Sequence, residues 1–225
     1  MFINKNFIIF LPFLYFSLVL SFYKNIQTRS NKNFLYMCNI RDIPQKKPCS
    51  NILLPYLTSQ DKLFLSSGEM IKKQERNESK GLGLVVLDIK CSSDIVFDTL
   101  TQFSMYQDMI PIVRSSKIIS NDDVNTVVEF KLSNFLLRLN VKHTIFKDQK
   151  LIKFTLDPNH VNILFKEATG FWHVEIPTDR PEGYCRVYLS TQILIHKNVP
   201  KLIIDYAEAK ALSSATKWLK TFFIK

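Results

Sequence analysis

The sequence predicts an α+β domain: a strongly curved antiparallel sheet of six to seven strands wrapped around one long C-terminal helix, with a short helix pair after the first strand. Three observations carry this. Between residues 117 and 195 the chain passes through short segments in which apolar and polar residues alternate, the period of half-buried strands. Leu202, Tyr206, Ala209, Leu212, Thr216, Leu219 and Phe223 then recur about every 3.5 residues, one continuous stripe on a helix of about 35 Å. Upstream of the alternating segments, residues 93–110 show helical spacing.

Leu82 to Lys90 (LGLVVLDIK) is β-branched, short and bounded by glycine and Ser92-Ser93-Asp94, so it reads as the first strand. Ser92 or Ser93 can cap a following helix by accepting from a first-turn N–H, and Asp94 suits the positive end of its dipole. Ile95, Val96, Leu100 and Phe103 give that helix its apolar side, and Pro111 ends or kinks what continues through Met105 to Ile110. Lys117 to Ser120 is a strand, and Asp122-Asp123 signals a turn. Val128, Phe130 and Leu132 alternate with Glu129 and Lys131. In 135–145, Phe135, Leu137, Leu139, Val141 and Ile145 face one way, with Arg138, Asn140 and Lys142 the other. Ile152, Phe154 and Leu156 form a further inward row, broken by Asp157-Pro158-Asn159. Ile163 to Phe165 and Trp172 to Ile176 flank Gly170, which points to a bend or bulge in a long strand. Thr178 to Gly183 is a turn, and Val187, Leu189, Thr191 and Ile193 alternate along the last strand. Pro200 stands where the long helix begins.

The 225 residues suit one domain with extensions, and 46% hydrophobic residues are enough for a real core. The formal charge of +10 would suit a nucleic-acid partner, but its distribution argues against one. Residues 1–50 hold seven basic residues and one acid, whereas the chain from Gly81 holds 18 and 15. More than half of the excess therefore sits in an N-terminal extension. There, residues 7–22 form an apolar run behind Lys5, the length of a signal-peptide core and short for a membrane span of about 20 residues. Residues 1–22 read as a signal peptide and 23–50 as a basic, acid-poor transit-like segment. The pair resembles the bipartite leader of secondary-plastid proteins, with secretion or an uncleaved anchor as alternatives. Residues 51–80 read as a linker, with 66–80 a solvated helix or linker, and the domain as 81–225. Cys38, Cys49, Cys91 and Cys185 are spread without a CxxC pair, so neither a zinc site nor a disulfide framework is indicated.

Three stretches resemble the START-like, polyketide cyclase/dehydrase and lipid-transport superfamily. In 93–111, Phe97, Leu100, Phe103, Tyr106 and Pro111 stand where that family has its opening helix pair, although Gln102 replaces a frequent Asp. Ala168 to Glu175 is similar to its G-x-W strand, and Val199-Pro200 to the helix entry of cyanobacterial and chloroplast members. The segment Tyr106 to Pro111 is also similar to coenzyme Q-binding members. The resemblance covers about residues 82–224 and implies a helix-grip fold with a cavity between sheet and terminal helix. The Ala, Ser and Thr of 207–216 independently leave room there.

The walls expected are Phe130, Leu137, Leu139, Val141, Phe154, Leu156, Trp172, Val174, Leu189 and Ile193, with Tyr206 and Ala209 from the helix. An apolar lining suits a hydrophobic small molecule such as a lipid, isoprenoid or prenylquinone, because each buried CH₂ favours binding by about 0.8 kcal/mol. No cofactor or metal is expected, and a transient membrane contact is left open. His143, His160, His173 and His196 show no ligand or triad spacing, so binding is favoured over catalysis. Two alternatives remain. One is a cyclase/dehydrase-type enzyme using Thr191, His143 and Tyr206. The other is a ligand-free interaction protein of an organelle, presenting Arg138, Lys142 and Lys153.

Overall fold

The computed structural model describes residues 52–132, 137–199 and 216–223. The signal and transit-like segments, Tyr206 and Ala209 lie outside the described residues, as does most of the 202–223 stripe. The described chain starts with helix α1 (Ser59–Ser66), whose first turn is closed by a reciprocal cap: the Thr58 N–H donates to Asp61 Oδ2 at 3.0 Å and the Asp61 N–H to Thr58 Oγ1 at 3.1 Å. Strands β1 (Met70–Asn77) and β2 (Lys80–Ile89) follow as a tight hairpin. Helix α2 (Ser93–Thr101) begins on Ser92, whose hydroxyl accepts from the Asp94 N–H as its sequence position predicts. After a 3₁₀ turn (Phe103–Met105) comes α3 (Tyr106–Met109), which stops before Ile110-Pro111 because a residue preceding proline is pushed out of the helical region. The Tyr106 hydroxyl donates to the Leu100 carbonyl at 2.6 Å and so locks the two helices together.

Strands β3 (Val113–Asn121), β4 (Asn125–Leu132), β5 (Leu137–Phe146), β6 (Leu151–Leu156), β7 (Phe165–Glu175) and β8 (Cys185–Ile195) complete one antiparallel sheet in the order β1-β2-β8-β7-β6-β5-β4-β3. At the β3–β4 turn, Asp122 Oδ1 accepts from the Val124 and Asn125 N–H groups, which is the turn chemistry its sequence signals. Helix α4 covers residues 216–223.

Alternation along each strand divides the sheet into two faces. On the inner face Val85, Leu87, Ile89, Val128, Phe130, Ile152, Trp172, Val174, Val187 and Leu189 pack against Val96, Phe97 and Leu100 of α2 and Trp218 and Leu219 of α4. Thr216 and Leu219 of the predicted stripe are fully buried, and Trp218, which the stripe leaves out, is buried beside them. The outer face has its own core: Leu82, Leu84, Val86, Leu151, Phe171 and Tyr188 under Leu57, Leu65 and Ile71. β2 is therefore buried on both sides, which explains its unbroken apolar sequence.

Two expectations change. The sheet has eight strands because β1 is built from the polar run that reads as a solvated helix or linker. Its residues pair from Met70↔Leu87 to Asn77↔Lys80, so β1 exists through its ladder to β2 rather than through its own propensity. As an edge strand dense in charge, it also resists pairing with a second chain. At Gly170 the strand is continuous, and the register shift in β7 lies between Phe165 and Glu167. Among the described residues no helix is long and apolar enough to cross a membrane.

Candidate functional site

The inner face is buried at one end and half-buried at the other. At the buried end lie Val85, Leu87, Ile89, Val96, Leu100, Cys185, Val187 and Leu189. Towards the other end the inward-facing Leu139, Val141, Phe154, Leu156, Ala168, Thr191 and Ile193 are only half-buried. Register places small residues side by side there. Phe154 pairs with Gly170, Gly170 with Thr191, and Thr191 with Gly83, a row crossing β6, β7, β8 and β2. The next row brings Ala168, Ile193 and Gly81 together. Two large side chains lean over these glycines. The Phe154 ring lies over Gly170, and a Cβ on Gly81 would stand 3.0 Å from Ile193 Cγ1.

The row extends by one strand, because Phe154 also pairs with His143 of β5. His143 is 5% exposed, and its ring lies 4.1 Å from Phe103, 6.0 Å from Phe130 and 6.4 Å from Phe154, centre to centre. Burial pulls this imidazole down to about 4, an effect that the Thr126 and Val141 backbone beside it only partly offsets. The ring is neutral at physiological pH, and its Nδ1 makes no hydrogen bond among the described residues. The other polar groups near the inner face are inert. The Tyr106 hydroxyl is committed to Leu100 and pushed up by burial, and burial likewise pushes the Cys185 thiol up to about 12. Among the described residues no group of three or more His, Cys, Asp or Glu could hold a metal ion.

The residues expected as walls separate into groups. Phe130, Trp172, Val174 and Leu189 share the inner face but belong to the buried core. Leu139, Val141, Phe154, Leu156 and Ile193 stand at the half-buried end. Leu137 begins β5 opposite Leu132, while Tyr206 and Ala209 lie outside the described residues. Sequence reading leaves out Gly81, Gly83 and Gly170 as neighbours, because they meet only through pairing between β2, β7 and β8. Of the basic trio on the outer side, Arg138 is 3.7 Å from Glu129, and Lys153 lies over the Phe146 ring. Thr191 faces inward in the glycine row, 191 and 143 being separated by two intervening strands.

No protein-family model and no curated protein matches the chain. Solved structures do. A START superfamily protein from Mycobacterium smegmatis is similar at a TM-score of 0.50 and 9% identity, over 64% of this chain and 97% of that one. The STAR-related lipid transfer protein (fragment 25-204) from Xanthomonas axonopodis is similar at a TM-score of 0.52 and 12% identity, over 68% and 99%. At these identities the likeness is one of fold, and the helix-grip fold of the START superfamily is the fold of this chain.

Proposed function

We propose that this protein binds a hydrophobic small molecule, a lipid, isoprenoid or prenylquinone, at the half-buried end of its inner face, and carries or shields it rather than transforming it. The observation that carries this reading is the half-buried apolar stretch of Leu139, Val141, Leu156, Ala168 and Ile193 on the inner face. Ligand sites are mostly apolar with few polar groups. Fold likeness to a lipid transfer protein supports the class of ligand. A cyclase/dehydrase-type reaction would need an acid and a base converging on one substrate. Among the described residues the inward polar positions at this end are Thr126, His143, Thr191, Gln74 and Arg76, with no carboxylate among them to pair with His143 for that chemistry. Native mass spectrometry of the purified protein tests the reading: adducts of lipid mass are expected, released by organic extraction. A ligand-free protein that takes up no lipid from vesicles would end it.

A carrier must also meet a membrane. The β6–β7 loop presents Val161 and Ile163, 98% and 80% exposed, next to the strand that opens the small-residue row. Asn162 between them holds the loop rigid, accepting from the Leu164 and Phe165 N–H groups and donating to the Arg138 carbonyl. Aspartate at both exposed positions should abolish vesicle association and leave folding intact. For residues 1–50, the reading remains delivery through the secretory route to a secondary plastid. A fluorescent fusion of residues 1–80 retained in the endoplasmic reticulum would end it.

A further inference from the structure

The buried polar atoms without a hydrogen bond among the described residues are His143 Nδ1, His173 Nδ1, Arg180 Nε and Gln192 Oε1. Arg180 Nε lies 3.3 Å from Asp88 Oδ2, so it is electrostatically satisfied. His173 and Gln192 sit on the outer face, opposite Tyr188 and Leu82 respectively. His143 alone faces the inner side, and it does so at the end of the row that continues through Phe154, Gly170 and Thr191 to Gly83.

An imidazole in that position needs a reason. Its ring neighbours are Phe103, Phe130 and Phe154, and although the Thr126 and Val141 backbone lies beside it, Nδ1 stays without a hydrogen bond among the described residues, a cost that a phenylalanine in the same box would not carry. A partner brought by a ligand supplies the reason. We propose that His143 is the polar anchor of the site, its ring hydrogen-bonding the single uncharged hydroxyl or carbonyl group of a long-chain lipid held at the half-buried end of the inner face. This rests on the hydrophobic-ligand reading above and narrows it.

The geometry also restricts the head group. An aromatic box without a cation would strip a carboxylate or phosphate of water and return nothing, whereas a hydroxyl or carbonyl needs one hydrogen bond, which a neutral imidazole gives. The head group is therefore neutral and small.

Hexadecane, hexadecanol and hexadecanoate, each radiolabelled and delivered from cyclodextrin to the delipidated protein at pH 8, test this by the amount retained on the protein after gel filtration. Hexadecanol should bind at least about tenfold tighter than hexadecanoate, and His143→Phe should weaken hexadecanol about tenfold, the worth of one hydrogen bond, without weakening hexadecane. His143→Gln, which keeps a donor and an acceptor, should retain most of the preference for the alcohol. Equal binding of hexadecanol by wild type and His143→Phe, or a preference for hexadecanoate, overturns the anchor while hexadecane binding keeps the ligand site. Failure of all three probes to bind overturns both.

Discussion

The Arg186 guanidinium grips the Asp88 carboxylate with two hydrogen bonds on the outer face of the sheet, Nε to Oδ1 at 2.7 Å and Nη2 to Oδ2 at 3.0 Å. The two residues are register partners on β8 and β2, and both side chains are almost wholly buried. The network spreads from there. Arg186 Nη2 lies 2.9 Å from Asp179 Oδ1, Arg180 Nε lies 3.3 Å from Asp88, and Lys62 of α1 lies 3.7 Å from Asp179. Arg180 also donates to the Ser66 carbonyl at the end of α1. Charge thus ties the N-terminal helix to the β7–β8 turn and to the sheet beneath it.

Removing one partner from this pair should be expensive, because the other charge stays buried. Asp88→Asn should lower unfolding free energy by about 3 kcal/mol in urea at pH 7. Asp88→Leu combined with Arg186→Leu should cost less than Asp88→Asn alone, since no charge is then stranded. A wild-type midpoint for Asp88→Asn would show that the pair carries no net stability.

Gly170 has no room for a side chain. A Cβ there would overlap the Ser190 carbonyl oxygen and the Phe154 ring, the latter's Cε2 at 2.8 Å. Gly170→Ala should cost about 1–3 kcal/mol, the usual range for overpacking. Adding Phe154→Ala should recover part of that loss by removing the ring but not the carbonyl, a coupling that a double-mutant cycle in urea measures directly.

How far these features are legible in the sequence depends on whether they are local. Ser92 as a helix cap, Asp122 as a turn former and the alternation of Val128, Phe130 and Leu132 are written within a few residues, and the structure places them so. β1 escapes because MIKKQERN has no alternation, and its strand character is lent by pairing to β2. The Asp88–Arg186 pair escapes because its members are 98 residues apart. Of the site, the apolar inward rows can be read strand by strand. The division into buried and half-buried ends cannot, because it is set by tertiary packing. Trp172 and Leu189 look equivalent to Phe154 and Ile193 in alternation alone, yet the first two are buried and the second two half-buried.

Leu65 tests whether the segment before β1 is part of the fold. It is fully buried at the end of α1, against an outer-face core that includes Leu84, Val86 and Phe171. Leu65→Ala should destabilise the protein by about 3 kcal/mol through lost burial and the cavity left behind. If α1 were only a tether, the variant would melt at the wild-type temperature.

His143 gives stability a pH dependence whose direction is fixed by its burial. In the unfolded chain it titrates near its ordinary 6.5, and in the fold near 4. Between these values the unfolded state binds more protons, so stability falls as pH drops from about 6.5 towards 4 and is fully present above that window. The single group accounts for roughly 3 kcal/mol across it. His173 acts in the same direction, pulled down by burial against the opposing pull of Glu175. Asp179 acts elsewhere: burial raises it, but Arg186 outweighs this and leaves it below its ordinary 3.8, so its loss is felt only at lower pH. Urea midpoints from pH 8 to 4 should therefore slope downward below about 6.5, and His143→Phe should flatten much of that slope. It should also match or exceed wild-type stability at pH 5. An unchanged slope in the variant would mean that the imbalance of protons lies with other groups.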